Sequence, residues 1–410
     1  MAARQRLSST FYRKRVVDLA EPTHLRWRPL ERCLGRVLAE PVHALVDVPG
    51  FHSVAMDGYA VRHDDDTRAG RRRVVGTVPA GAAPTGMLAP GQAARIMTGA
   101  PLPPGADAVV PVEAVQTGRD ADGDHIVVAD PVVLGQHVRP QGEDVAVGDL
   151  VLPAGRTLRA ADLAAAAATG HARLAVRRRP RVAVVTTGDE TQAPGRPLAP
   201  GQIYDSNQTF LAAALRRAGA KVVARRHCPD RTDQLTALFD ELAATADLLL
   251  VAGGISAGDY DIVRDVLLEH ATAPAGQPTV VHVAIRPGKP QAAGTWRGTP
   301  VLALPGNPVS VAASFAAFVR PWLDQALVRT PAPLRTARVA QGWTSPPGLT
   351  HLVPVTVTDG PAARTVRPAT DRTSASHLVA SLARADAWAV VPEDVTDVTV
   401  GTTVELLDLA

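Results

Sequence analysis

Between Arg181 and Leu323, short unbroken apolar runs alternate with longer stretches in which apolar residues recur every three or four positions. Val182 to Val185 and Leu248 to Val251 are continuous apolar runs of strand length, and Val222 to Ala224 and Val280 to Ala284 read the same way. Hydrophobicity that does not alternate predicts strands covered on both faces, as in a parallel sheet wrapped by helices. The intervening stretches have helical spacing. Leu211, Leu215 and Ala218 share one face of a helix that starts at Ser206 and ends at Gly219, and Leu235, Leu238, Phe239 and Leu242 line another. Asp261 to Leu268 and Val309 to about Trp322 predict two more helices. Alternation of this kind predicts a three-layer αβα domain built on a parallel sheet.

The pattern changes on both sides of this region. Leu34 to Ala39 reads as helical, and Ala44 to Ala146 is a run of short β segments broken by glycine and proline, which predicts an inserted β-rich domain. Asp162 to Thr169 predicts an alanine-rich helix, so the segments flanking the insertion are expected to pack as one elongated, discontinuous domain. Beyond Pro331 and Pro333, Ala337 to Leu407 alternates like a small β-barrel. The expectation is an α/β multidomain chain: 1–45 and 144–179 elongated, 46–143 inserted, 180–328 αβα, 329–410 barrel. At 410 residues the chain exceeds what one core serves.

Composition narrows the function classes. Apolar residues make up 46% and aromatics only 4%, so the cores must be filled mainly by valine, leucine and alanine. The formal net charge is +3, and the basic runs Arg71 to Arg73 and Arg177 to Arg179 lack interleaved aromatics, which favours solvated or boundary charge over nucleic-acid binding. Cys33 and Cys228 make neither a zinc spacing nor a disulfide framework, and their scarcity fits a reducing cytoplasm. No stretch approaches the roughly 20 apolar residues of a membrane-spanning helix, and Met1 to Ala20 lacks a signal-peptide apolar region. A soluble cytosolic protein is expected.

Candidate chemistry gathers in the loops that follow the strands, because ligands of open parallel sheets bind at strand carboxyl ends. Pro305-Gly306-Asn307-Pro308 leads into a helix start whose exposed amides attract anions, with Ser310 placed to cap them. Arg286-Pro287-Gly288-Lys289-Pro290 sets two cations around another tight turn, and Gly253-Gly254-Ile255-Ser256 offers successive backbone amides. Together these loops predict an oxyanion or phosphate pocket. Asp57, Asp144, Asp189, Glu190, Asp205, Asp230, Asp259 and Asp261 also fall in loops. Carboxylates beside phosphate hold magnesium, although an acidic residue after a strand more often caps the next helix, a reading to which Asp205 and Asp259, each next to a helix start, are most open. Thr98 stands at a turn where its hydroxyl either donates to an oxyanion or stabilises the turn. His171 and His282 read as core or loop histidines, while His377, beside Ser376, needs a partner to act.

Nine ordered segments then carry a resemblance. Asp47 to Phe51 with Ala55 to Ala60, Met97 to Pro101, Gln141 to Asp144, Thr187 to Glu190, Asp205 to Asn207, Gly253 to Ser256, Pro287 to Pro290 and Leu304 to Pro308 resemble the molybdopterin molybdenumtransferase family, which includes the E domain of gephyrin. The resemblance implies an elongated homodimer of four-domain subunits in molybdenum cofactor synthesis. Such an enzyme takes adenylylated molybdopterin, inserts molybdate at the dithiolene sulfurs and releases AMP with magnesium assisting. It implies Asp57, Thr98, Asp144, Glu190, Asp230, Asp261 and Lys289 as catalytic residues, with Glu190, Asp230 and Asp261 at the metal. It also implies Asp205, Ser206, Asn207, Gly253, Gly254, Ser256, Arg286, Pro305, Gly306, Asn307, Pro308 and Ser376 around the substrate. Asp57, Thr98 and Asp144 are expected to close the cleft from the partner subunit. Molybdopterin adenylyltransferase and molybdenum-dependent apoenzymes are the expected partners. Three departures stand out: Arg286 where many members have lysine, Ala252 in place of a hydroxyl residue, and Pro354 where relatives usually carry arginine. Two other readings stay open, a scaffolding paralogue without turnover and a molybdopterin adenylyltransferase.

Overall fold

The computed structural model describes residues 6–65, 70–84, 86–255, 261–272, 279–360, 363–370 and 377–409. Its centre is a sheet in which Lys221–Cys228, Arg181–Thr187, Leu248–Ala252 and Thr299–Leu304 lie side by side and parallel. Leu248–Ala252 is buried along its whole length, as an unbroken apolar run requires. The helices Ser206–Arg217, Thr232–Ala243 and Ile262–His270 turn their apolar stripes onto the sheet. A last helical stretch starts at Pro308, passes through a π turn at Phe315–Val319 and ends at Ala326. Valine, leucine and alanine do fill most of these cores, with Tyr12 against Phe318 and Phe239 against Trp296 as edge-to-face inserts.

Val280–Arg286 and Pro290–Trp296 extend the sheet as an antiparallel hairpin, so the Arg286 to Pro290 segment is a hairpin turn and not the end of a crossover strand. Pro290–Trp296 escaped the sequence reading because it is built from small residues around Gly294, against which the backbone of Thr272 packs too closely for a Cβ. The far end of Val280–Arg286 has different neighbours: Val283 and Ala284 pair with Leu7 and Ser8, and Ile285 and Arg286 pair with Thr350 and His351. The latter strand, Thr350–Asp359, opens a closed five-stranded barrel with Arg364–Pro368, Arg335–Val339, Thr403–Asp408 and Ala387–Val391. Barrel and αβα body therefore share one continuous hydrogen-bonded sheet.

The first helix, Ser9–Val17, packs Tyr12 and Val16 into the αβα core, so the chain's start is tied there before the elongated part begins. That part is made by Leu25–Pro29 pairing with Arg173–Arg177, by Val42–His43 pairing with Leu150–Leu152, and by the helix Ala160–Ala168. Leu34 to Ala39 is not helical. Gly35 takes φ +69°, and Val37 and Leu38 are both buried while bridging to Thr157 and Val176, which an amphipathic helix would not allow. The inserted region is a six-stranded sheet in the order Ala108–Pro111, Gly58–Val61, Gln92–Ile96, Arg71–Val78, Gly123–Val128, Val115–Asp120. Its arginine run is strand, with Arg72 buried beside Asp65 and Arg71 paired with Asp120. Arg178, at the boundary, forms a two-pronged pair with Asp247 at 2.7 and 3.0 Å. Among the described residues no helix is long and apolar enough to cross a membrane.

Candidate active site

The carboxyl ends of the parallel strands open into a cleft of ≈640 Å³. Thr187, Gly188 and Glu190 form one wall, Asp230 and Asp261 the acidic end, and Gly253, Gly254 and Pro305 to Pro308 the floor. Arg286 to Pro290 form the opposite, cationic side, and Asp205, Ser206 and Asn207 the entry to a helix. Every residue described as lining the cleft lies between Thr187 and Ser310.

Close backbone packing shapes the floor. Gly253, at φ +105°, has room for no side chain: a Cβ would lie 2.9 Å from the Thr187 hydroxyl oxygen. Gly306 abuts the Cα of Gly253, so the two loops meet backbone to backbone, and the Asn207 side-chain amide donates to the Gly306 carbonyl at 2.6 Å. Asp205 accepts from the Gln208 amide at 2.9 Å and from the Thr186 hydroxyl at 2.6 Å, so its buried carboxylate caps the helix and the capping alternative holds for it. Ser310 does not cap the following helix. Asn307 occupies the cap position without a side-chain capping bond, and Ser310 is buried in the first turn.

Charge is divided across the cleft. Arg286 and Lys289 are exposed on one side. On the other, Asp189 and Asp230 exchange backbone-to-carboxylate hydrogen bonds at 3.1 and 3.3 Å, Glu190 folds back over Gly188, and Asp261 is buried. Cys228 reports the local field: burial pushes its thiol up, and Asp230, Asp233 and Asp189 push it in the same direction. Cys33 is likewise buried and raised, which removes both cysteines as nucleophiles. Glu190, Asp230 and Asp261 share the cleft without drawing together into a metal-spaced cluster. Among the described residues such a cluster occurs only at His63, Asp64 and Asp107, on the inserted sheet.

Asp57, Thr98 and Asp144 do not line this cleft in their own chain. Asp57 accepts from both the hydroxyl and the amide of Thr98 at 2.7 Å, and these bonds hold its exposed carboxyl below the usual range. Asp144 is exposed on a nearby turn that is tied by its amide to Val48 and braced by the Gln141 to Asp47 bond. Ser256, Ser376 and Asp259 lie outside the described residues.

Molybdopterin molybdenumtransferase 2 of Mycobacterium tuberculosis is 42% identical over 398 residues, which cover 93% of this chain and 94% of that protein. The chain belongs to the molybdopterin molybdenumtransferase family. Residues 4–170 match the MoeA N-terminal region (domain I and II), 183–325 the probable molybdopterin binding domain, and 336–409 the MoeA C-terminal region (domain IV). The family member of Synechococcus elongatus is 35% identical, covering 93% of this chain and 94% of its own. The crystal structure of the molybdopterin biosynthesis MoeA protein from Pyrococcus horikosii superposes with a TM-score of 0.82 at 31% identity, covering 99% of this chain and all of that one. The whole described cleft falls inside the stretch, 183–325, that matches the probable molybdopterin binding domain.

Two cleft residues were not anticipated. Ile203 and Tyr204 line the cleft while 55% and 46% exposed, an apolar and aromatic lip beside Asp205 that suits a flat ring. An aromatic directly before Asp205-Ser206-Asn207 was the available signal. Pro354, in contrast, is buried within its barrel strand opposite Trp388 and is absent from the cleft wall.

Proposed function

We propose that this chain is a transferase of molybdenum cofactor biosynthesis that inserts molybdate into adenylylated molybdopterin and releases AMP. The observation that carries the reading is the single cleft that sets two cations and a rigid Pro-Gly-Asn-Pro floor against three carboxylates. Lys289 and Arg286 attract the doubly negative molybdate and the substrate phosphates, and the floor loop holds oxyanion oxygens through backbone contacts. The lip at Tyr204 and Ile203 takes the planar pterin.

Magnesium fits the donor set, because Glu190, Asp230 and Asp261 offer only hard oxygens. Not being gathered into a three-ligand cluster, they would supply an ion with one or two carboxylates, substrate phosphate oxygens and water completing its shell. When bound, the ion would neutralise phosphate charge as AMP leaves. The carboxylates' own part is to orient that end of the substrate and keep excess anion from entering there.

Asp57, Thr98 and Asp144 enter the reading through a homodimer in which each chain's inserted domain closes the other's cleft. The product passes to molybdenum-dependent apoenzymes, and the adenylylated substrate comes from a molybdopterin adenylyltransferase. The test is direct. Purified protein given adenylylated molybdopterin, magnesium and molybdate releases AMP in step with molybdenum incorporation. Tight substrate binding without AMP release would make the chain a scaffold, and consumption of ATP with plain molybdopterin would make it the adenylyltransferase.

A further inference from the structure

Beneath the cleft, its cation-bearing turn is joined to the helix that follows its floor loop by a side chain that touches no solvent. Gln291 is fully buried in the strand Pro290–Trp296, and its side-chain amide donates to the Gly288 carbonyl and to the Ser314 hydroxyl oxygen, both at 2.7 Å. Gly288 is in the turn that carries Arg286 and Lys289, and Ser314, also fully buried, lies in the helical stretch that begins at Pro308, just before its π turn. The turn lies flush on that helix: Gly288 sits at φ +107°, and a Cβ there would come within 2.9 Å of the Ser314 hydroxyl oxygen. The Val283 amide donates to the Lys289 carbonyl at 2.8 Å and shuts the hairpin from the other side.

A neutral amide is costly to bury, and here its own carbonyl oxygen finds no partner. An apolar side chain would fill the same space without that cost. What the amide does, and an apolar residue cannot, is fix the cation-bearing turn against the helix at hydrogen-bond distance.

We propose that Gln291 is a positioning residue for oxyanion binding. Acting through Gly288 and Ser314, it sets Lys289 at one distance from the Pro305 to Pro308 loop, so that a single tetrahedral anion is gripped by both. The inference rests on the reading of this cleft as the molybdate site.

Molybdate binding to the full-length protein is measured by calorimetry, with the KM for molybdate and kcat for AMP release alongside, in wild type, Lys289→Ala, Gln291→Met and Ser314→Ala. Gln291→Met, which keeps length and apolar bulk, raises the molybdate Kd and KM about tenfold. It leaves kcat at saturating molybdate within about twofold and the KM for the pterin substrate unchanged. Ser314→Ala gives a smaller rise, and the double variant is no worse than Gln291→Met alone, because both act through one amide. If Lys289→Ala leaves molybdate binding untouched, the reading of the cleft itself fails. If Lys289→Ala weakens binding while Gln291→Met lowers only the thermal midpoint, Gln291 is a structural residue and the inference is overturned. Should Gln291→Met not fold, Ser314→Ala decides alone, and an unchanged molybdate Kd overturns the proposal.

Discussion

The cleft of the αβα body and the Asp57 to Thr98 corner of the inserted sheet are both polar and carboxylate-bearing, yet they are assembled in opposite ways. The cleft is made from loops of one sheet, pressed together backbone to backbone at Gly253 and Gly306, with a buried cap at Asp205 and a cross-tie from Asn207. The corner is small, exposed and self-satisfied: Thr98 spends its amide and hydroxyl on Asp57. The first region can hold a ligand within one chain. The second lines none of the cavities found among the described residues, which is why it belongs with a second chain in the proposed mechanism.

The sharpest way to break this contrast is to disable each region separately. Glu190→Gln or Lys289→Ala should lower AMP release by about a thousandfold or more with the fold intact by circular dichroism, since each removes charge complementarity at the reacting end. Asp57→Asn should cost about a hundredfold by the same argument, although the residue lies outside the cleft of its own chain. Mixing Asp57→Asn chains with Glu190→Gln chains should then restore activity toward about a quarter of wild type, because half the dimers are mixed and each holds one intact composite site. Failure of the mixture to recover, with exchange of chains verified, would mean that the corner acts within its own chain or not at all.

Acid should separate the two regions as well. His351 is buried beside the Arg286 backbone, and its imidazole nitrogen Nδ1 lies 2.7 Å from the Ser345 hydroxyl. Burial first, and then the charge of Arg286, push it down to about 4 from 6.5. Because the folded chain binds fewer protons than the unfolded one across that window, stability is full above pH 6.5 and drains as pH falls toward 4. The loss should reach about 2 kcal/mol near pH 4.5 and be absent from a His351→Asn variant, as read by thermal melts at several pH values. Asp57 carries no such burial, and the two Thr98 hydrogen bonds hold its carboxyl below the usual range. The mildest change is at the lip: Tyr204→Ala should raise the KM for the pterin substrate by up to about tenfold and leave kcat alone.

The cleft was largely legible because each of its loops is a local sequence event. Thr187 to Glu190, Gly253-Gly254, Arg286 to Pro290 and Pro305 to Pro308 each directly follow a strand marked by a short apolar run, and the structure brings all four to one cavity. Leu34 to Ala39 was misread because two adjacent apolar residues beside a glycine mimic a short helix until their long-range partners, Thr157 and Val176, are known. The Gln291 to Ser314 tie spans 23 positions and leaves only a polar residue in each of two apolar stretches as its trace. Tyr204 was missed for a simpler reason, since exposure at a cleft mouth has no periodicity.

The strand Val280–Arg286 ends against Thr350 and His351 of the barrel, with Leu7 and Ser8 alongside. Cutting the chain after Pro331 would strip one cover from that strand and leave bare amides and carbonyls beside the cation-bearing turn. A fragment of this kind should stick to its own copies before it shows any loss of ligand grip, so the barrel serves the cleft as a guard against edge-to-edge self-association.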